Sequence, residues 1–275
     1  MSIEVISIGG VSFHTYGLVL GLAILLGLWV AEKMVEKYYV SNLLNKEDIE
    51  KSVLWIILFG VLGARLYHVL DYWSYYSKNL IEILAMWKGG LGIYGAILGG
   101  LLGAGIFIRT SLSGGKWDKK MFKKFNELLD VVSVGLPLSQ AVGRLGNFVN
   151  QEIYGSPTDL PWGIFIEKNK RMMGYENYEY FQPLFLYEAL WNVVGFMILF
   201  GMMKNNILVK SKGNYFIFYL FWYGWGRAML EPLRLRYWSV WGMPTASVIG
   251  VCIMVMTLLI IIWRRKKDEW TILVD

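Results

Sequence analysis

Arg227, Glu231 and Arg234 stand four and three residues apart in the segment YGWGRAMLEPLR, so on a continuous helix they share one face. A second polar group lies in GRLGNFVNQEIYG, residues 143–155, where Arg144, Asn147, Asn150 and Glu152 sit among three glycines. A guanidinium beside amides and backbone N–H groups suits an oxyanion such as a phosphate diester, which arginine grips through two parallel hydrogen bonds. Both groups also fit plainer readings. Arg227 and Glu231 would neutralise each other along one helix, and the 143–155 segment would be a polar cap that ends another. Pro232 has no N–H and would kink a helix through the first group, and Arg236 would point away from that face. In the second group, Arg144, Asn147, Gln151 and Gly155 share a face if the helix continues. Gly143 and Gly146 instead suggest a helix end with close backbone approach.

Two further places carry polar groups where apolar ones are expected: Arg65 in FGVLGARLYHVL, and Tyr187 with Glu188 in QPLFLYEA. A charge inside a membrane span costs at least about 2.5–3.5 kcal/mol, so it usually faces a partner, a cavity or a ligand. Apart from Arg65, all of these groups lie at the ends of apolar stretches, where packed spans would bring them to one cavity. With His14, His68 and the single Cys252, the chain has little material for a zinc site and none for an intramolecular disulfide. No metal or cofactor is expected.

The elements that must position these groups are helices in lipid. Of 275 residues, 56% are hydrophobic and 17% charged, against about a quarter charged in soluble domains. Apolar stretches cover residues 15–34, 52–70, 90–109, 128–143, 184–203, 214–231 and 244–263, and a span needs about 20 such residues. The pattern predicts an all-α integral membrane protein with about seven transmembrane helices. It reads as a single polytopic domain over residues 1–275, with a small extracytoplasmic cap at roughly 144–183 punctuated by Gly155, Pro157, Asp159 and Pro161. The N-terminus has no basic n-region, so the first apolar run reads as a span that stays. The glycines of the third stretch read as close helix packing.

Of the 27 Lys and Arg residues, 17 fall on one set of connections and nine on the other, with Arg65 inside a span. The richer side is expected to be cytoplasmic. That puts the N-terminus and the 143–155 segment outside and the C-terminus inside. The net charge of +6 then reflects anchors facing anionic lipid rather than a nucleic-acid surface.

GRLGNFVNQEIYG resembles the signature of the prolipoprotein diacylglyceryl transferase family, G-R-x-G-N-F-x-N-x-E-x-x-G, at every fixed position. YGL at 16–18, GARL at 63–66, GGLGIYGAILGG at 89–100, LPWG at 160–163, QPLFLYE at 182–188 and GRAMLEPLR at 226–234 resemble other motifs of that family. The resemblance implies a multi-pass transferase of the bacterial cell membrane. It would move the diacylglyceryl group of phosphatidylglycerol, a membrane lipid, onto the lipobox cysteine of a prolipoprotein signal peptide, releasing glycerol phosphate. On this reading Arg144, Arg227, Glu231 and Glu152 are the catalytic set, with the arginines on the phosphate and Glu231 holding Arg227. Tyr16, Arg65, Tyr94, Asn147, Asn150, Gly155 and Arg234 bind substrate. Tyr94 and Gln182 stand where many members carry histidine, so a mechanism that requires imidazole at either place cannot operate, and the proton acceptor is not identified. An anion or lipid transporter with an arginine-lined outer cavity is the competing reading. It would need polar groups spread through the membrane's depth, whereas this sequence concentrates them outside, has little beyond Asp130 in its cytoplasmic half and shows no convincing repeat. A non-catalytic lipid-binding scaffold is the third.

Overall fold

The structure is a computed structural model that describes residues 5–8, 11–39, 43–86, 89–115, 118–207, 212–235 and 237–272. Arg236, and Lys88, Lys116 and Lys210 of the charge count, lie outside the described residues. The chain opens with a hairpin, β1 (Val5–Ile8) and β2 (Val11–His14), then α1 (Thr15–Lys37), α2 (Lys46–Asp71), the short α3 (Trp73–Tyr76), α4 (Ile93–Phe107) and α5 (Lys119–Asn150). It continues with β3 (Ile164–Phe165), β4 (Tyr180–Phe181), α6 (Leu184–Lys204), α7 (Asn214–Leu230), β5 (Ser239–Val240), β6 (Met243–Pro244) and α8 (Thr245–Ile272).

Each of the seven apolar stretches falls on a helix. Six are long and apolar enough to cross a membrane, and the seventh, α7, has 17 residues, the short end of the span range. Their outward faces are apolar, with Leu25, Leu54, Leu98, Leu190 and Leu259 all exposed, as lipid rather than water requires. The chain is an all-α, multi-pass membrane protein.

The short 128–143 stretch is the middle of a longer helix. α5 runs for 32 residues with Pro137 inside it, so it carries through GRLGNFVN and ends at Asn150 rather than at Gly143. Bilayer helices tolerate proline and glycine when neighbours pack on them. Here the Tyr16 ring lies against Gly146, where a Cβ would come within 2.7 Å of it. The loop region that was expected from 144 therefore begins at 151.

The residues form two compact units, Met1–Val30 with Val132–Asp275, and Ala31–Val131. In the 31–131 unit, α2 starts at an Asn45 cap whose side chain accepts from the Asp48 N–H, while the Asp48 carboxylate accepts from the Asn45 N–H. α2 and α4 then approach through glycines. A Cβ on Gly63 would lie 2.3 Å from the Gly95 carbonyl oxygen, and one on Gly99 would lie 2.1 Å from that of Phe59. Only hydrogen fits at these crossings.

In the other unit, α1 and α5 meet at Gly27 and Gly135, and the Ser139 hydroxyl donates to the Ala23 carbonyl at 2.7 Å. α7 and α8 meet at Gly224 and Gly250. Residues 151–183 form a small cap with its own core of Tyr154, Ile166 and Phe181. β3 pairs with β4, and Pro157 bridges to Phe181. The Tyr154 hydroxyl donates to the Lys170 carbonyl at 2.9 Å and accepts from the Met172 N–H at 2.8 Å. Burial pushes the Tyr154 phenol up from its ordinary value, and the Met172 bond pulls against that.

Candidate active site

Three helix ends supply the charged groups: the last turns of α5 and α7, and the first turns of α6. α5 presents Arg144 and, three residues on, Asn147. The Arg144 Nη1 donates to the Asn147 Oδ1 at 3.1 Å, and the Asn147 Nδ2 donates to the Glu152 Oε1 at 2.7 Å. Asn150 reaches the same carboxylate oxygen at 3.5 Å. Just past the helix, Gln151 and Ile153 take left-handed φ values of 54° and 56°. A β-branched residue there is strained, a cost met mostly at functional loops. This backbone turns Glu152 back toward α5, where its N–H donates to the Asn147 carbonyl at 2.9 Å.

α7 ends at Leu230, where Pro232 cannot supply an N–H, yet a 3-10 turn from Glu231 to Leu233 continues the winding. Arg234 thereby comes round beside Glu231, its Nε 3.4 Å from Oε2, while Arg227 Nη2 is 2.7 Å from that oxygen. The intrahelical Arg227–Glu231 pair is thus present, but it does not close on itself.

Glu188, in the second turn of α6, joins the two groups. Its Oε2 lies 2.7 Å from Arg144 Nε, and its Oε1 lies 2.9 Å from Arg234 Nη2 and 3.7 Å from Arg227 Nη1. Glu188 and Glu231 are each 5% exposed. A buried carboxylate is tolerable only when paired, and here two carboxylates face three guanidiniums, which leaves one positive charge in excess. The cluster borders a narrow cleft of about 30 Å³, lined by Gln140, Arg144, Glu188, Asn192, Tyr223 and Arg227 among others. The carboxylates hold some of the N–H groups of each fork in place, and the remaining edges stand ready for an oxyanion.

Gly155 sits between two strands of loop. Its N–H donates to the Gln182 carbonyl at 2.8 Å, and its backbone bridges to Arg234. A Cβ there would lie 3.1 Å from both the Leu233 carbonyl oxygen and the Gln182 Cβ. Gly155 therefore fixes the approach of the arginine-bearing turn to the cap. The Tyr16 ring, on Gly146, is partly exposed.

Arg65 and Tyr94 belong to the 31–131 unit, and their surroundings are those of that unit. Arg65 donates to the carbonyls of Ile83, Gly89 and Gly90 at 2.8, 2.8 and 3.0 Å and to that of Glu82, with its guanidinium over the Tyr76 ring. Tyr94, half exposed at the start of α4, stands tilted to Tyr67 with ring centres 5.8 Å apart.

Sequence reasoning did not give Glu188 a role in the site. Its signal was a lone carboxylate at the start of an apolar stretch, and nothing in the sequence said that it faces arginines 44 residues before it and 39 and 46 after. Gln140, Asn192 and Tyr223 in the cleft carried no signal of their own.

The prolipoprotein diacylglyceryl transferase family profile matches residues 4–263. A phosphatidylglycerol–prolipoprotein diacylglyceryl transferase of Acaryochloris marina is 36% identical over 270 residues, covering 96% of this chain and 93% of the relative. One of Listeria monocytogenes is 36% identical over 265 residues, covering 95% and 89%. One of Fervidobacterium nodosum is 36% identical over 231 residues, covering 84% and 74%. By profile and by relatives matched along most of their length, the chain belongs to the prolipoprotein diacylglyceryl transferase family.

Proposed function

We propose that this chain transfers the diacylglyceryl group of phosphatidylglycerol to the lipobox cysteine thiol of a prolipoprotein, forming a thioether and releasing glycerol phosphate. The observation that carries the reading is the group of three arginines on two buried glutamates beside a cleft, in a chain whose relatives bear that activity in their names. The reaction is a displacement at the glycerol carbon. The carbon–oxygen bond to phosphate breaks, a carbon–sulfur bond forms, the thiol proton departs, and the phosphate ester leaves with the bonding pair.

Charge builds on the departing phosphate, and preorganised donors in a dry site stabilise it most. Arg144 and Arg227 take that role, both at the cleft and both held by glutamate. Glu231 orients Arg227 and Arg234, Glu152 orients Asn147 and Asn150, and the two amides shape the headgroup pocket. Gly155 keeps the cap close to the Arg234 turn. Tyr16, packed on Gly146, is assigned to substrate binding within its own unit, and Tyr94 and Arg65 are assigned to it within the 31–131 unit. The substrate brings the sulfur, so Cys252 takes no part.

The whole chain works as one polytopic transferase domain, with the N-terminus, cap and arginines outside and the C-terminus in the cytoplasm. The lysine and arginine bias supports this orientation. Cysteine labelling of intact cells, with Cys252 replaced, tests it: position 168 should label from outside and position 116 should not. The reverse pattern would place the arginines on the wrong face for a secreted substrate.

The activity itself is tested with purified protein, phosphatidylglycerol vesicles and a lipobox peptide. The expected product is the peptide bearing a diacylglyceryl thioether, with one glycerol phosphate released per thioether formed. Purified, folded protein that yields neither would sink the reading.

A further inference from the structure

The groups that hold Glu188 and Arg227 in register lie one turn below them. Trp191 on α6 and Trp222 on α7 stack with ring centres 4.2 Å apart and planes within 15°. Each indole N–H also crosses to the other residue's backbone: Trp191 Nε1 donates to the Trp222 carbonyl at 3.3 Å, and Trp222 Nε1 donates to the Trp191 carbonyl at 3.2 Å. A helical carbonyl keeps a second lone pair for such a donor. The rings also key into the backbone. A Cβ on Gly226 would lie 2.4 Å from Trp191 Nε1, and one on Gly195 would lie 2.3 Å from Trp222 Nε1. Trp225 closes the group edge-on against both rings.

This clasp is reciprocal, so sliding α6 along α7 breaks both hydrogen bonds and pushes both indoles out of their glycine notches. Glu188 is three residues before Trp191, and Arg227 is five after Trp222 and next to Gly226. Small errors in register here fall directly on the Glu188 contacts with Arg227 and Arg234, at 3.7 and 2.9 Å. A positioning error of about 1 Å can cost about a hundredfold in rate.

We propose that Trp191 and Trp222 are positioning residues for the transfer reaction: their crossed indole bonds set the register of α6 on α7 and so present the Glu188 carboxylate to the arginines. The inference rests on the activity proposed above, and it concerns how the phosphate-binding group is held rather than what it binds.

The test is a mutant cycle on the purified full chain. Trp191→Phe and Trp222→Phe keep an aromatic ring and remove the N–H. Each should lower kcat about tenfold with the peptide KM little changed. In a Glu188→Gln background, where the carboxylate is already lost, the same changes should cost less than about twofold, because residues acting through one another are not additive. Equal losses in both backgrounds would overturn the proposal. So would a reduced yield of folded protein whose kcat per folded molecule is unchanged, since a merely structural clasp predicts that. If a phenylalanine variant does not fold, benzothienylalanine at position 222 retains the bicyclic shape without the N–H, and the cycle is run with it. An inactive wild type would fail the activity proposal instead, so the two failures are separable.

Discussion

Two regions of this protein bury arginine, and they use it in opposite ways. Arg65 is 6% exposed and spends its donors on the main-chain carbonyls of Glu82 and Ile83, in a short 3-10 turn, and of Gly89 and Gly90, tying them to α2. Arg144, Arg227 and Arg234 keep 25%, 21% and 20% of their side chains exposed and face carboxylates. Neutral carbonyls satisfy hydrogen bonds but leave the charge of Arg65 in place, so what the region gains is a fixed fold. Carboxylates cancel most of the charge in the other region and aim what remains at a cleft. A buried arginine is thus informative only through the acceptors that surround it.

The largest effect should come from replacing the cleft arginines. Arg144→Lys and Arg227→Lys keep the charge and lose the planar fork. Each should cut turnover by about 10²–10³, the scale for losing one transition-state donor, while the protein still inserts. Thioether formation by the purified variants measures it. Near-normal turnover in Arg227→Lys would mean that Arg227 serves only to neutralise Glu231.

Arg65→Lys should act on stability instead. It forfeits hydrogen bonds from a charged group worth about 1.5–3 kcal/mol each before compensation, so the thermal midpoint should fall clearly. Turnover per folded molecule should change much less than in the cleft variants. If turnover collapses while the midpoint holds, Arg65 contacts substrate and the contrast between the two regions fails.

Tyr94 gives the smallest expected change. Its half-exposed ring packs beside Tyr67, so the position is expected to contribute shape rather than to take the proton. Tyr94→Phe should keep most activity and Tyr94→His should be active, whereas Tyr94→Ala should lose activity through lost packing. Product formation measured against pH for all four proteins decides this. A dead Phe variant, an active His variant and a pH profile that moves with the ring would make Tyr94 the base.

Some of this architecture was legible because it is local. Hydropathy placed the seven long helices among the described residues, though not the four-residue α3, since span length is set by the bilayer. The four-and-three spacing of Arg227, Glu231 and Arg234 foretold a shared face, which survives the change to a 3-10 turn at Pro232. The glycines at 143 and 146 were read two ways, because an isolated glycine looks the same at a helix end and at a close crossing. α5 running on to Asn150 ruled out the helix end, and the Tyr16 ring makes Gly146 a close crossing whereas Gly143 faces open space.

By itself, then, the sequence determined the membrane class, the helices, the family signature and which polar residues are too costly to be idle in lipid. Those depend on composition and on neighbours within a turn or two. Only the tertiary structure decided that Glu188 is the shared partner of three arginines, that Arg65 faces carbonyls, and that two indoles cross-bond α6 to α7. Each joins residues at least 17 positions apart, and helical periodicity says which face a residue occupies but not which other face meets it.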